Sequence, residues 1–314
     1  MIRDFRAGDA PAMVHLLTTQ FPEEEALLGT RPEMFFRVVR RVMRWDARIL
    51  FAILRLLGRP VFRLLIFEED ARLVGTTLLT FPAGAVYLSM VVVDPAARRR
   101  GYARALLGRA AEIAQRMRRR YLVLDVLANN APARTLYEQR LGYRPLREVA
   151  YMVREHPEEV GAERTALPPG IRRFEERDNA ALVALAQRQT PPEVAEVMAI
   201  PRKLLADSRT TDRIFESQTE AWVVDRGSGP EALAVATCSS GREAAHLSDP
   251  IVSESADPAL VSELYRTAVA WCGARHSVRV MSAVPRYNTR GRAALEREGF
   301  HDALSTWTLY RPVA

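Results

Sequence analysis

The sequence predicts an α/β protein of two domains, each a mixed sheet with helices on both faces. Its 314 residues are about twice a common domain length. The two halves also open and close alike. Residues 2–9 read IRDFRAGD and residues 171–178 read IRRFEERD, while residues 141–143 (LGY) and 298–300 (EGF) end the halves. These repeats indicate an internal duplication.

Strand and helix patterns alternate through the first half. Apolar positions at a period of two indicate strands, and positions at a period of 3.6 indicate helices. The polar residues 68–70 (EED) are predicted to turn a hairpin. The predicted elements are strand 2–6, helix 10–18, a long helix within 32–58, strands 62–67, 72–81 and 85–93, helix 102–118, strand 121–127, helix 131–140 and a strand near 145–153.

A polar segment with two adjacent prolines separates the halves. It covers residues 156–170 and has the composition of a linker. We therefore predict a first domain at 1–155, a linker at 156–169 and a second domain at 170–314.

Composition limits the partners and the location. The net charge of +7 favours anionic partners such as nucleic acid, a membrane surface or a phosphate-rich cofactor. Aromatic residues are not interleaved with the arginines as a base-stacking surface requires, so no nucleic acid is expected. Two cysteines and five histidines form neither a disulfide framework nor a metal-ligand pattern, so no metal is expected. No targeting or transmembrane segment is visible, and we expect a cytoplasmic protein.

One turn between a strand and a helix carries the clearest chemical signal. Strand 85–93 is followed by residues 98–104 (RRRGYAR), which lead into an amphipathic helix. Free N–H groups and the helix dipole make such a helix start an anion site. Gly101 and Ala103 lack bulk, so a pyrophosphate could approach the backbone, and the neighbouring arginines add charge. This segment alone is equally consistent with a turn whose arginines are solvated.

Two motifs together resemble those of the GCN5-related N-acetyltransferase (GNAT) family. Residues 98–103 match its acetyl-CoA-binding motif [Q/R]-x-x-G-x-[G/A]. Residues 130–138 match N-x-x-A-x-x-L-Y-E, and Gly142 with Tyr143 matches the following G-[F/Y], with one extra residue before the glycine. The resemblance covers residues 1–153. It implies mostly antiparallel sheets in which two central strands splay apart.

The resemblance implies acetyl-CoA as cosubstrate and assigns residues to it. Backbone groups of the fourth strand would bond the pantetheine arm, and N–H groups of the turn would bond the pyrophosphate. Asn130 matches a position that contacts pantetheine, and it also suits a helix N-cap. The implied cofactor-binding residues are Val91, Val93, Arg98, Arg99, Arg100, Gly101, Ala103, Arg104 and Asn130.

The family's reaction is direct transfer of an acetyl group to an amine. Tyr137 stands at its general-acid position, and a phenol of pKa about 10 is protonated at neutral pH. Asp125 lies where some members carry a glutamate proposed as the base. It is equally consistent with a strand-end aspartate bonded to an arginine or with a water-mediated route. The rival function is a non-catalytic acetyl-CoA sensor or scaffold. The acceptor is expected to be a small-molecule or peptide amine.

The second half resembles the family in its order of strands and helices but lacks most residues of the two motifs. Asp257, Leu260 and Ser262 stand where the first half has the motif residues, and Leu295 replaces the tyrosine. Acidic residues there would repel a pyrophosphate. We predict a structural role, with the acceptor between the halves. The tandem arrangement resembles the mycothiol synthases, whose C-terminal half is the active one, so their substrate is not carried over.

The long helix predicted within 32–58 has a cationic stripe opposite an apolar face. Three interpretations stay open: packing on the domain or on another subunit of a homo-oligomer, contact with the acceptor or a partner, and binding to a membrane surface. The stripe consists of Arg37, Arg41, Arg44, Arg48 and Arg55.

Overall fold

A computed structural model describes residues 1–20, 62–161, 166–205, 216–239 and 243–313. The long helix predicted within 32–58 lies outside these residues. The strands are β1 (Ile2–Asp4), β2 (Phe62–Glu69), β3 (Arg72–Thr80), β4 (Ala85–Val93), β5 (Tyr121–Leu127), β6 (Arg144–Glu155), β7 (Ile171–Arg173), β8 (Ser217–Asp225), β9 (Pro230–Ser239), β10 (Ala244–Leu247), β11 (Ile251–Val252), β12 (Arg279–Pro285) and β13 (His301–Pro312).

The helices lie on both faces of the sheet, as predicted. They are α1 (Ala10–Gln20), α2 (Tyr102–Arg116), α3 (Ala131–Arg134), α4 (Asn179–Gln189), α5 (Pro192–Val197), α6 (Pro258–Gly273) and α7 (Thr289–Arg297). A π-helical turn, Thr135–Arg140, continues α3. None of the helices within the described ranges is long and apolar enough to cross a membrane.

The mixed, mostly antiparallel sheet predicted for each half is confirmed. Only β4–β5 and β10–β12 pair in parallel among the described strands. The predicted hairpin joins β2 and β3, and its turn residues Asp70 and Ala71 have φ of 49° and 60°. Two consecutive left-handed residues match the twist of the flanking strands.

The two halves exchange their last strands, which the sequence did not predict. The sheet runs β1-β2-β3-β4-β5-β13-β6-β12-β10-β9-β8-β7. Strand β13 of the second half therefore lies beside β5 of the first, and β6 of the first lies beside β12 of the second. Leu309 of β13 is buried in the first-half core, and Met152 of β6 is buried in the second-half core. Each core is completed by the other half.

The repeated opening folds into the same ion pair twice. Asp9 accepts two hydrogen bonds from the Arg3 guanidinium at 2.7 and 2.8 Å, and Asp178 accepts two from Arg172, both at 2.8 Å. These bonds hold the pKa of both carboxyls below the ordinary value. The matching geometry supports the duplication inferred from residues 2–9 and 171–178.

Candidate active site

Strands β4 and β5 splay apart at the centre of the first half. Their pairing extends only from Ala85 opposite Tyr121 to Leu88 opposite Leu124. Met90 then has a left-handed φ of 51°, where the β3–β4 register shifts. This bulge increases the local twist, and the remainder of β4 leaves its partner.

The free edge of β4 presents backbone groups to the resulting gap. The N–H of Asp94 bonds the carbonyl of Val74 on β3 at 2.9 Å. Because successive residues of a strand point their backbone groups to alternate sides, those of Val91 and Val93 face the gap instead. Contact of Val91 and Val93 with a pantetheine arm stays a prediction.

The start of α2 lies beside this edge and forms an open anion cradle. Gly101 has a φ of 86°, and a side chain built there would meet no atom within 4 Å. The first intrahelical bond joins the N–H of Ala105 to the carbonyl of Gly101 at 3.0 Å. The preceding N–H groups of residues 102–104, Ala103 and Arg104 among them, have no helical acceptor. The cradle's N–H groups and dipole suit a phosphate.

The arginines around this cradle divide into two groups. Arg98 bonds the Gln20 side chain and, through Nε, the Val93 carbonyl at 3.3 Å. Arg100 pairs with Glu69 at 3.2 Å. Arg99 and Arg104 are exposed and make no side-chain bond to a described residue. Contact of all four with phosphate stays a prediction.

Tyr137 lies on the π-helical turn, whose wide geometry accommodates the extra residue before Gly142. It packs against Tyr143 with ring centroids 5.9 Å apart. Its side chain is 6% exposed, and burial raises the pKa of its phenol to about 12. The hydroxyl is therefore protonated throughout the neutral range, as a proton donor must be. π-Helical turns often occur at functional sites.

Asn130 caps α3, as one of its two interpretations predicted. Its Oδ1 accepts a hydrogen bond from the N–H of Ala133 at 3.1 Å. The residue is exposed, and its amide nitrogen bonds no described residue. Contact with the pantetheine arm stays a prediction.

Asp125 is the first β5 residue beyond the paired segment, on the face opposite Tyr137. Its carboxylate accepts hydrogen bonds from the hydroxyls of Tyr87 and Thr308, the latter at 2.7 Å. The arginine partner that one interpretation required is not present among the described residues. Burial and the nearby carboxylate raise the pKa of Tyr87. Neither hydroxyl partner was predicted from the sequence. Only the alternation of β4 could have placed Tyr87 on this face.

A helix of the second half covers part of the Asp125 face. Val197 at the end of α5 packs against Ala85 and Val123. Glu196 accepts a hydrogen bond from the Tyr121 hydroxyl at 2.5 Å. The second half therefore forms a wall beside the splay.

At the corresponding site of the second half, side chains occupy the positions that are free in the first half. The Asp257 carboxylate accepts a bond from the N–H of Ala259 at 2.8 Å and so occupies the start of α6. Asn288 caps α7 and also donates to Asp249 and to the Pro250 carbonyl, at 2.8 and 2.7 Å. Leu295, at the position of the tyrosine, is fully buried.

Comparison with known proteins finds this geometry in one family. The acetyltransferase (GNAT) family model matches residues 13–143, which contain the splay, the cradle and Tyr137. Over these residues the chain is similar to the GNAT family. The match includes both motifs of the sequence analysis. No curated protein matches the sequence.

Solved structures extend the GNAT likeness over both halves. A tandem GNAT protein from the clavulanic acid biosynthesis pathway is similar over 100% of this chain and 98% of its own, at 16% identity and a TM-score of 0.65. A GCN5-related N-acetyltransferase from Sphaerobacter thermophilus is similar over 100% and 95%, at 16% identity and a TM-score of 0.67. At these identities the likeness concerns the fold.

Proposed function

We propose that this protein is an N-acetyltransferase that transfers the acetyl group of acetyl-CoA directly to an amine. The observation that carries the proposal is the open cradle at Gly101 beside the free edge of β4. A buried, protonated Tyr137 stands on the next helix. In the second half the equivalents of these features are closed or replaced.

The first-half residues fit acetyl-CoA. The free N–H groups at the start of α2 would hold the pyrophosphate, with Arg99 and Arg104 supplying charge. Backbone groups of Val91 and Val93 would bond the pantetheine arm along the edge of β4. The space beside Gly101 is what a close backbone approach requires, since any side chain there would project toward the phosphates.

Acetyl-CoA supplies a thioester carbonyl whose sulfur must leave. A free N–H of β4 would stabilise negative charge on the carbonyl oxygen. Tyr137 would donate its hydroxyl hydrogen toward the sulfur. Its pKa of about 12 keeps the phenol neutral, and this donation is strongest when the sulfur carries most charge.

Asp125 would serve the amine on the opposite face. An alkyl ammonium has a pKa of about 10.4, so its proton must be removed before attack. The exposed carboxylate would attract the ammonium, accept its proton and pass it to water. The hydroxyls of Tyr87 and Thr308 fix the carboxylate in place.

The acceptor would be a small-molecule or peptide amine that approaches on the Asp125 face, beside the wall formed by α5. Besides apolar and aromatic side chains, this face carries three charged groups, Asp125, Arg147 and Glu196. Fold alone does not select one amine from another.

Acetyl-CoA-dependent thiol release across a broad panel of amines tests the proposal. Active amines should lose most of their rate with Asp125→Asn, whereas Asp94→Asn, at the end of β4, should change the rate little. A wild-type protein that binds acetyl-CoA but releases thiol with no amine is a sensor, and the proposal fails.

A further inference from the structure

The second half contains a cavity of about 720 Å³ that the acetyl-transfer site does not use. It lies between α4 and α5 on one side and β8 and β9 on the other. Its size is in the range of small-molecule sites, and apolar walls of this kind are typical of them. The apolar walls include Val194, Met198, Ile200, Leu204, Leu233 and Val235.

Two side chains of opposite charge line this cavity without pairing with each other. Asp249 is half-buried, and its one hydrogen-bond donor among the described residues is the Asn288 amide at 2.8 Å. Arg147 is also half-buried and donates only to the hydroxyls of Thr308 and Tyr287, both at 3.4 Å. Neither group forms an ion pair within the described part of the chain.

A half-buried charge without an opposite partner is costly, because it has lost water and gained little in return. Here two such charges face the same cavity, close enough that Arg147 lowers the pKa of Asp249 while burial raises it to about 6. A ligand with both charges would satisfy both groups at once. The apolar walls would bury its remaining surface.

We propose that this cavity binds a free α-amino acid with a large apolar side chain. The ammonium group pairs with Asp249, the carboxylate pairs with Arg147, and the side chain packs against the walls formed by α4, α5 and β9. Arginine suits this role because its planar donors match a carboxylate.

The Asp249 end of the cavity lies away from the acetyl-transfer site, whereas Arg147 at its other end bonds Thr308, which also bonds Asp125. Asp249 follows β10, which is four strand spacings from β5 along the order β5-β13-β6-β12-β10. At ~4.8 Å per spacing, Asp249 lies about 19 Å from Asp125. An amino acid held on Asp249 therefore cannot present its amine to Asp125.

Titration calorimetry with three matched probes tests the proposal on the full chain. L-Phenylalanine carries both charges, phenethylamine lacks the carboxylate, and 3-phenylpropanoate lacks the amine. Phenylalanine should bind most tightly. Asp249→Asn should weaken phenylalanine and phenethylamine about tenfold or more, and Arg147→Gln should do the same for phenylalanine and 3-phenylpropanoate.

Arg144→Gln is the matched control, since Arg144 is exposed on the same strand as Arg147 and should leave all three affinities unchanged. Unaltered acetyl-CoA affinity shows that each variant is folded. The proposal is overturned if phenylalanine does not bind at about 10 mM, a concentration that detects even millimolar affinity. It is equally overturned if both variants bind phenylalanine like the wild type, or if phenylalanine is itself acetylated.

Discussion

The two halves share one fold but begin their equivalent helices differently. Helix α2 follows Gly101, a left-handed residue with empty space where a side chain would be. Helix α6 follows Asp257, whose carboxylate bonds the N–H of Ala259. Both starts have the same dipole. Under the proposed function, the start of α2 receives an external anion, whereas the start of α6 already carries the carboxylate of Asp257.

The asparagines at the two splays also share a backbone geometry but differ in their side-chain contacts. Asn130 and Asn288 cap their helices with φ of −83° and −81° and ψ of 71° and 65°. Asn130 is exposed, whereas Asn288 is 7% exposed and bonds Asp249 and Pro250 across the opening. Asn288 therefore caps its helix as Asn130 does and in addition bonds the two residues that follow β10.

The largest expected effect is a loss of kcat on changing Tyr137, the residue that the second half replaces with Leu295. Tyr137→Phe removes the proton donor but retains the ring, so acetyl-CoA affinity should be unchanged. Since general acid catalysis contributes typically 10²–10⁴-fold, kcat with an active amine should fall by about that factor. Thiol-release kinetics with saturating acetyl-CoA measure it.

Tyr143→Phe is the matched control for Tyr137→Phe. Its buried hydroxyl has no hydrogen-bond partner among the described residues, and its ring lies against that of Tyr137. Its removal should leave kcat near the wild-type value. Equal losses from both variants, or no loss from either, would contradict the assignment of Tyr137 as the acid.

A second change tests whether the exchanged strands join the halves. Leu309→Ala should lower the free energy of unfolding by about 2–5 kcal/mol, because it leaves a cavity in the first-half core although it lies in the second half. Chemical denaturation should show both halves unfolding together. His301→Ala, exposed on the same strand, should change stability by less than about 0.5 kcal/mol. Loss of one half while the other stays folded would refute the joint core.

The smallest expected effect concerns Asp249 and the pH dependence of stability. Burial raises the pKa of Asp249 to about 6, above its unfolded value, so the folded state binds the extra proton between about pH 4 and 6. Stability should therefore fall as pH rises through this window. Asp249→Asn should stabilise the protein at pH 7.5 by about 1–2 kcal/mol, after a discount for partial exposure, and have no effect near pH 4.

Asp178→Asn is the opposite control for this pH profile. Hydrogen bonds from Arg172 hold the pKa of Asp178 below its ordinary value, so its ionised form stabilises the fold. The variant should be destabilised at neutral pH, and the difference should vanish as pH falls through the folded-state pKa. Thermal melts across pH measure both. A loss of stability at pH 7.5 from Asp249→Asn would contradict the account of the cavity.

The local features of the site were predictable from sequence because their residues are contiguous. The cradle depends on residues 98–104 and on the strand directly before them. The extra residue before Gly142 was visible as a departure from the family spacing. The backbone accommodates this residue by forming a π-helical turn, and the residue types alone do not predict that turn.

The long-range features were not predictable. Nothing in the local sequence of residues 301–312 selects the neighbouring strand, so the pairing with β5 cannot be read locally. Thr308 bonds Asp125 across 183 positions of sequence. Of the interpretations left open for Asp125, an arginine partner is not seen among the described residues, because the exchanged strand brings the Thr308 hydroxyl to that position.

Titration calorimetry with acetyl-CoA tests the central claim most directly, that the first half alone binds the cosubstrate. The wild type should bind one acetyl-CoA per chain. Gly101→Glu, which adds a strained and negatively charged side chain to the cradle, should abolish binding, while circular dichroism and the melting temperature stay close to the wild type. Two molecules per chain, or undiminished binding by Gly101→Glu, would contradict the account.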